Sequence, residues 1–147
     1  GYRAVGVDLL PHLHPAMRWA DYHRLPFRDD RFSLLYVAHA YEHARDITTA
    51  AQEALRVLKP GGLFCSFMYN TDHPRVGRSG EEIEPNTFQD VQTGRFVGIT
   101  HYADLRDILD LFRDFSVENI MSSSLREVWH ARSALLGEAE YIILARK

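Results

Sequence analysis

Phe32-Ser33-Leu34-Leu35-Tyr36-Val37-Ala38, continued through His39 to Leu58 and closed by Lys59-Pro60-Gly61-Gly62, is the stretch whose reading decides the fold. Leu34 to Ala38 is short, apolar and partly aromatic or β-branched, which predicts a strand buried on both faces. Ile47, Ala50, Ala51, Ala54, Leu55 and Leu58 then recur at helical spacing, with Asp46 placed to cap the first turn. Thr48, Thr49, Gln52, Glu53 and Arg56 fall on the outward side of that helix. Pro60 cannot continue it, and the two glycines permit the left-handed turn that feeds the next apolar run, Leu63 to Tyr69. Strand, helix, strand predicts a right-handed crossover between parallel strands.

The rest of the chain extends that unit. Its 147 residues, 46% of them apolar, suffice for one core, so a single domain over residues 1–147 is expected. Ala4 to Val7, closed by Asp8, and Met17 to Ala20, closed by Asp21, read as short strands that each end on an acid. Residues 70–99 mix Pro, Gly, Asn, Thr and charge with little periodicity, which predicts a functional loop or lid. Tyr102, Leu105, Ile108, Leu109 and Phe112 restore a helical stripe; Phe115 to Met121 alternates as a strand. Residues 122–137 read as a polar connection, partly helical, and Glu140 to Ala145 as a closing strand. The fold class this predicts is α/β: a doubly wound, mainly parallel sheet with an antiparallel edge strand.

Composition narrows the partners. A net charge of −3 with scattered Lys and Arg lacks the basic footprint of a duplex-binding protein. No apolar run approaches the roughly 20 residues of a membrane span, and a cytoplasmic location is expected. Cys65, the single cysteine, sits in an apolar run and reads as packing, since such surroundings suppress the thiolate.

Val5-Gly6-Val7-Asp8, Asp21-Tyr22 with Leu25-Pro26-Phe27, Phe32 to His43, and Arg56-Val57-Leu58-Lys59-Pro60-Gly61-Gly62 together resemble class I S-adenosylmethionine-dependent methyltransferases of the small-molecule type. The resemblance implies a Rossmann-like fold, S-adenosylmethionine as cofactor and a small-molecule oxygen or nitrogen acceptor. It places the ribose hydroxyls on Asp8 with Leu9 beside it, and the adenine amino group on Asp21 with the Tyr22 backbone. Ala38, at the end of the central strand, belongs to the same cofactor set. A carboxylate at a strand's C-terminal end is chemically apt, since it accepts both hydroxyls of a ribose.

The sequence also departs from the family. Only seven residues precede Asp8, and they hold no glycine-rich loop for the methionine end of the cofactor. The expectation is therefore an N-terminally incomplete domain, lacking the first strand and that loop, that is a truncated piece of a longer enzyme. A homodimer or another chain completing the sheet is the alternative. Ser33 stands where the family usually has an aspartate.

His39, Glu42 and His43 read H-x-x-E-H, one face of a helix if residues 40–44 are helical. Three readings compete: local packing and hydrogen bonding, proton acceptance from a methyl acceptor, and a divalent-metal set. The first is favoured and no metal is expected. A zinc peptidase through the same letters ranks third among functions, behind a non-catalytic methyltransferase-like interaction domain. His39, His43 and His101 are the candidate bases; Tyr69, Asn70 and Tyr102 are the candidate acceptor contacts, with Arg126, Trp129 and His130 undecided between acceptor site and sheet edge.

Overall fold

The structure, a computed structural model, describes residues 4–8, 17–78, 80–90, 98–124, 129–130, 133–134 and 139–147. Two short parallel strands, β1 (Gly6–Asp8) and β2 (Met17–Trp19), form one pair. The main sheet has the order β3-β4-β11-β8, from β3 (Phe32–Ala38), β4 (Leu58–Tyr69), β8 (Ser116–Ser124) and β11 (Ala139–Arg146). Within it β3 runs parallel to β4, whereas β11 is antiparallel to both β4 and β8. A Rossmann-like α/β class is what this element order and its parallel pairs express.

Helix α1 (Ile47–Val57) forms where predicted, because Asp46 accepts the Thr49 N–H at 3.0 Å and also the Thr49 hydroxyl. Its inner face is Ala50, Ala51, Ala54 and Val57, small enough to bring the helix close to the sheet. Glu53 and Arg56 are not idle outward residues. Glu53 Oε1 accepts the Leu25 N–H at 2.9 Å, and Arg56 bonds Glu53, Asp29 and the Leu25 carbonyl, tying the helix to the connection before β3.

The chain enters β4 through a bulge. Phe32 pairs with Leu58 and Leu34 with Leu63, so Ser33 alone on β3 lies opposite Lys59 to Gly62 on β4. Gly61 takes φ 71°, and a Cβ on Gly62 would lie 2.8 Å from the Lys59 carbonyl oxygen. The glycines are thus required by the bulge and not only by the end of the helix.

Several expectations are corrected. β3 is not buried on both faces: Leu35 and Val37 pack inward, but Leu34 is 57% and Tyr36 63% exposed. Residues 70–99 are not a structureless lid, because β5 (Gly80–Glu84), β6 (Thr87–Asp90) and β7 (Ile99–His101) form an antiparallel meander. Its turn is read poorly from sequence because Asn86 supplies the positive φ that glycine usually does. Helix α2 (Leu105–Leu111) starts later than the stripe implied, set by a reciprocal capping box between Asp104 and Asp107. It buries Ile108 and packs Phe112 at its end, while Leu105 and Leu109 face outward. Of residues 122–137, Ser122 to Ser124 end β8 and two two-residue strands pair as β9 (Trp129–His130) and β10 (Ser133–Ala134); the expected helical part lies outside the described residues.

The core lies on one face of the main sheet. Phe64, Met68, Ile143 and Ala145 are fully buried there against α1 and against Ile108 and Phe112. Phe64 sits 5.1 Å from Phe112 and 5.0 Å from Phe115 between ring centroids. Ala20, Leu25 and Val57 make a smaller cluster that seats Val7 of β1 beside Phe32 and Leu35 of β3.

Candidate functional site

Ligands of open α/β sheets bind beyond the carboxyl ends of the parallel strands, and the polar residues of this chain gather there. Asp8 ends β1, and its carbonyl accepts the Ala20 N–H at 3.1 Å, which fixes the chain at the end of β2. One residue on, Asp21 closes a tight turn: its Oδ1 accepts both the His23 N–H at 2.8 Å and the His23 ring at 2.7 Å. Those bonds hold the Asp21 carboxyl below the usual carboxylate range. Oδ1 carries both of them, and Oδ2 has no hydrogen-bond partner among the described residues. The His23 ring takes the Asp46 N–H on Nε2, so its proton sits on Nδ1 and points at Asp21.

Tyr22 follows Asp21, and its ring packs against His23 and Tyr41. Burial raises its hydroxyl pKa first, and the charges of Asp21, Glu42 and Asp8 raise it further. Asp8 ends β1, Asp21 follows β2, and Glu42 stands in the turn after β3. Asp8 and Asp21, the predicted nucleoside pair, lie at the ends of the paired parallel strands β1 and β2, and their acceptor-only chemistry fits the hydroxyl and amino donors of a nucleoside. Ala38 is exposed at the end of β3, paired with Phe67. Leu9 lies outside the described residues, as do Arg126 and the side chains of Trp129 and His130.

The H-x-x-E-H cluster does not converge. His39 sits in the left-handed region at φ 47°, a strained position for a residue with a Cβ. Its Nδ1 is 3.1 Å from Glu42 Oε1 and its Nε2 3.2 Å from Glu140 Oε2, an arrangement suited to the protonated ring. The fully buried Glu42 keeps Oε2 without a hydrogen-bond partner among the described residues. Tyr41–His43 is a 3-10 turn, not an α-helix, and it turns His43 the other way: Nδ1 meets the Ile99 carbonyl of β7 at 3.0 Å. The spacing argument for one shared face fails because a left-handed residue precedes a tighter helix.

His101 and Tyr102 close the meander rather than open α2. His101 is held by the Thr87 hydroxyl at 2.8 Å and by Asp107 at 3.4 Å. With Met68, Ile108, Asp107 and α1 residues Ile47 and Thr48, it lines a cavity of about 300 Å³ that shares no lining with Asp8, Asp21 or Tyr22. Tyr102 is 2% exposed, so it is core, stacked on Tyr69. Asn70 is buried as well: its side chain accepts the Asp72 N–H and donates to Ser122, which makes it a turn staple instead of a cleft wall. Tyr69 alone of the three stays half-buried, 4.8 Å from the His39 ring. Burial raises the Cys65 thiol pKa, in keeping with a packing role.

Glu140 and His23 were missed by sequence reasoning. Glu140 faces Tyr69 across the β4–β11 ladder, a pairing over some seventy residues that no local pattern announces. His23 had a readable signal, two residues after an acid that ends a strand.

Comparison with known proteins follows this geometry. Residues 1–66 match a family model described as a methyltransferase domain. A rat mitochondrial 2-methoxy-6-polyprenyl-1,4-benzoquinol methylase is 42% identical over 59 residues, which are 40% of this chain and 18% of that protein. A 2-phytyl-1,4-naphtoquinone methyltransferase of Nostoc punctiforme is 30% identical over 101 residues, 67% of this chain and 44% of the relative. The chain thus spans less than half the length of these curated relatives. In structure it is similar to a methyltransferase from Methanosarcina mazei, with a TM-score of 0.70, 20% identity, and coverage of 89% of this chain and 66% of that one. A Mesorhizobium loti methyltransferase gives the same TM-score at 16% identity, covering 97% and 80%. Residues 1–66 carry a methyltransferase-domain sequence, and the described chain carries the fold of class I S-adenosylmethionine-dependent methyltransferases.

Proposed function

We propose that the protein containing this chain transfers a methyl group from S-adenosylmethionine to a small hydroxylated ring of the quinol class. The observation that carries the cofactor reading is the placement of Asp8 and Asp21 at the ends of the paired parallel strands β1 and β2. The acceptor class is supported by the relatives, which are named for benzoquinol and naphtoquinone substrates. When bound, the cofactor supplies an activated methyl group on a sulfonium, so the protein's work is to align the acceptor, exclude water and manage one proton. Asp8 and Asp21 would hold the nucleoside. Half-buried Tyr69 would wall the acceptor side.

Calorimetry of the full-length protein with S-adenosylhomocysteine tests this. Micromolar binding, weakened at least tenfold by Asp8→Asn, is the expected result; no binding at millimolar concentration ends the reading. A second reading, a methyltransferase-like interaction domain, is favoured by the apolar face of the main sheet, where Leu34, Tyr36 and Met121 are exposed and no described helix covers them. It predicts that binding failure together with an unperturbed fold.

A further inference from the structure

We propose that the cavity between α1 and α2 binds a small primary amine with an aliphatic body, at a site apart from Asp8 and Asp21. Its volume of about 300 Å³ stands at the lower end of small-molecule pockets, and it has their usual construction, an apolar floor with a few polar groups at the rim. Met68 of β4, Ala103 and Ile108 of α2 make the floor, and all three are fully buried. Ile47 and Leu111 continue the apolar lining from the two helices, half-buried. None of these side chains donates a hydrogen bond, so water against them finds few partners, and an aliphatic group is the better occupant.

The rim decides the head group. Asp107 and Asp110 lie one turn apart on α2, and both line the cavity. Asp107 Oδ2 accepts the Asp104 N–H at 2.9 Å and faces His101 Nε2 at 3.4 Å, while its Oδ1 accepts no bond among the described residues. The Asp110 carboxylate is exposed and has neither hydrogen bond nor ion pair among the described residues. Arg113, just past the end of α2, is the only Lys or Arg in the lining. Negative charge therefore prevails at the mouth. A field of the same sign reaches β11, where burial first and then the charges of Asp72, Asp104 and Asp107 raise the Tyr141 hydroxyl pKa.

Two kinds of cation fit this mouth poorly. A divalent metal needs several converging ligands, and among the described residues no three His, Cys, Asp or Glu side chains converge. A quaternary ammonium is held by an aromatic cage, and no Phe, Tyr or Trp among the described residues lines the cavity. A primary ammonium carries one charge and three N–H donors, which match the two carboxylates and the Thr48 hydroxyl at the rim. The site stands independently of methyl transfer, because Asp8, Asp21 and Tyr22 line no part of it.

Three probes that share one isopentyl body separate the head group from the body: isopentylamine, isopentanol and isocaproate. In methyl NMR spectra of the full-length protein at pH 7, the Met68, Ile47 and Ile108 methyl signals are expected to shift with isopentylamine at a dissociation constant of about 1 mM. Isopentanol should bind roughly tenfold more weakly, and isocaproate more weakly again. Asp110→Asn should weaken the amine about fivefold, leave the alcohol unchanged and keep the wild-type urea midpoint. Arg113→Gln, which removes the competing cation, should tighten the amine. Equal affinity for amine and alcohol, a preference for isocaproate, an amine affinity untouched by Asp110→Asn, or no methyl shift up to about 30 mM amine each overturns the proposal. Failure of S-adenosylhomocysteine to bind would end the methyl-transfer reading and leave this outcome unaffected.

Discussion

The two faces of the main sheet are built from the same strands and the same alternating residues, yet they have opposite fates. On one face Phe64 and Met68 of β4 and Ile143 and Ala145 of β11 are fully buried under α1 and α2. On the other, the registers align Leu34 with Leu63, Tyr36 with Cys65 and Leu144, and Phe67 with Ile142 and Met121. No described helix covers this second set, and Leu34, Tyr36 and Met121 are 46–63% exposed. Apolar alternation therefore does not report which face is covered. It reports only that both faces are made for contact.

The largest expected effect comes from testing the two faces against each other. Phe64→Ala removes a ring packed on Tyr41, Phe112 and Phe115 at 0% exposure and should cost about 3–5 kcal/mol in denaturant unfolding. Tyr36→Ala, on the open face, should cost under about 1 kcal/mol and lower the binding of a hydrophobic dye. Equal losses at the two positions would mean that the second face is covered in solution, and the comparison would collapse.

A smaller effect, about 1–3 kcal/mol, is expected from Gly62→Ala. The bulge at Lys59 to Gly62 sets which residues of β4 face α1, since a one-residue slip exchanges the two faces. An added Cβ would meet the Lys59 carbonyl oxygen at 2.8 Å, and backbone cannot move as a side chain does. Loss of stability with an unchanged slope against denaturant is the expected signature. A wild-type midpoint would show that the bulge relaxes freely.

These positions also mark how far the sequence was legible. Ile47 to Val57 was read correctly because a helix announces itself through local periodicity and a capping acid, whereas Leu58, read as helical, already opens β4. Asp8 and Asp21 were placed by strand endings, again a local signal. The bulge glycines were seen as a turn, though the register they impose depends on β3. What escaped was non-local. The burial of Asn70 and Tyr102 and the ion pair of His39 with Glu140 arise from pairing between β4, β11 and the meander, and sequence spacing carries no record of which strands become neighbours. The H-x-x-E-H cluster failed for another reason: one left-handed residue, His39, broke the helical geometry on which the reading depended.

The smallest effect concerns the helix that makes one face a core. Asp46 caps α1 through the Thr49 N–H and hydroxyl, and Asp46→Ala should cost about 1 kcal/mol. The same bonds, first from the Thr49 hydroxyl and then from its backbone N–H, lower the Asp46 pKa from its ordinary 3.8. A carboxylate whose folded pKa lies below its unfolded value stabilises fully above the unfolded value and loses that contribution as pH falls through the folded one. Wild-type stability should therefore decline below about pH 4, and Asp46→Asn, which retains a cap without the charge, should flatten part of that decline. Urea midpoints measured at pH 7 and pH 3 resolve this, because the asparagine variant should differ from wild type more at pH 7 than at pH 3. The reverse order would show that the charge does not stabilise the helix, and the covered face would owe its helix to packing by Ala50, Ala51 and Ala54 alone.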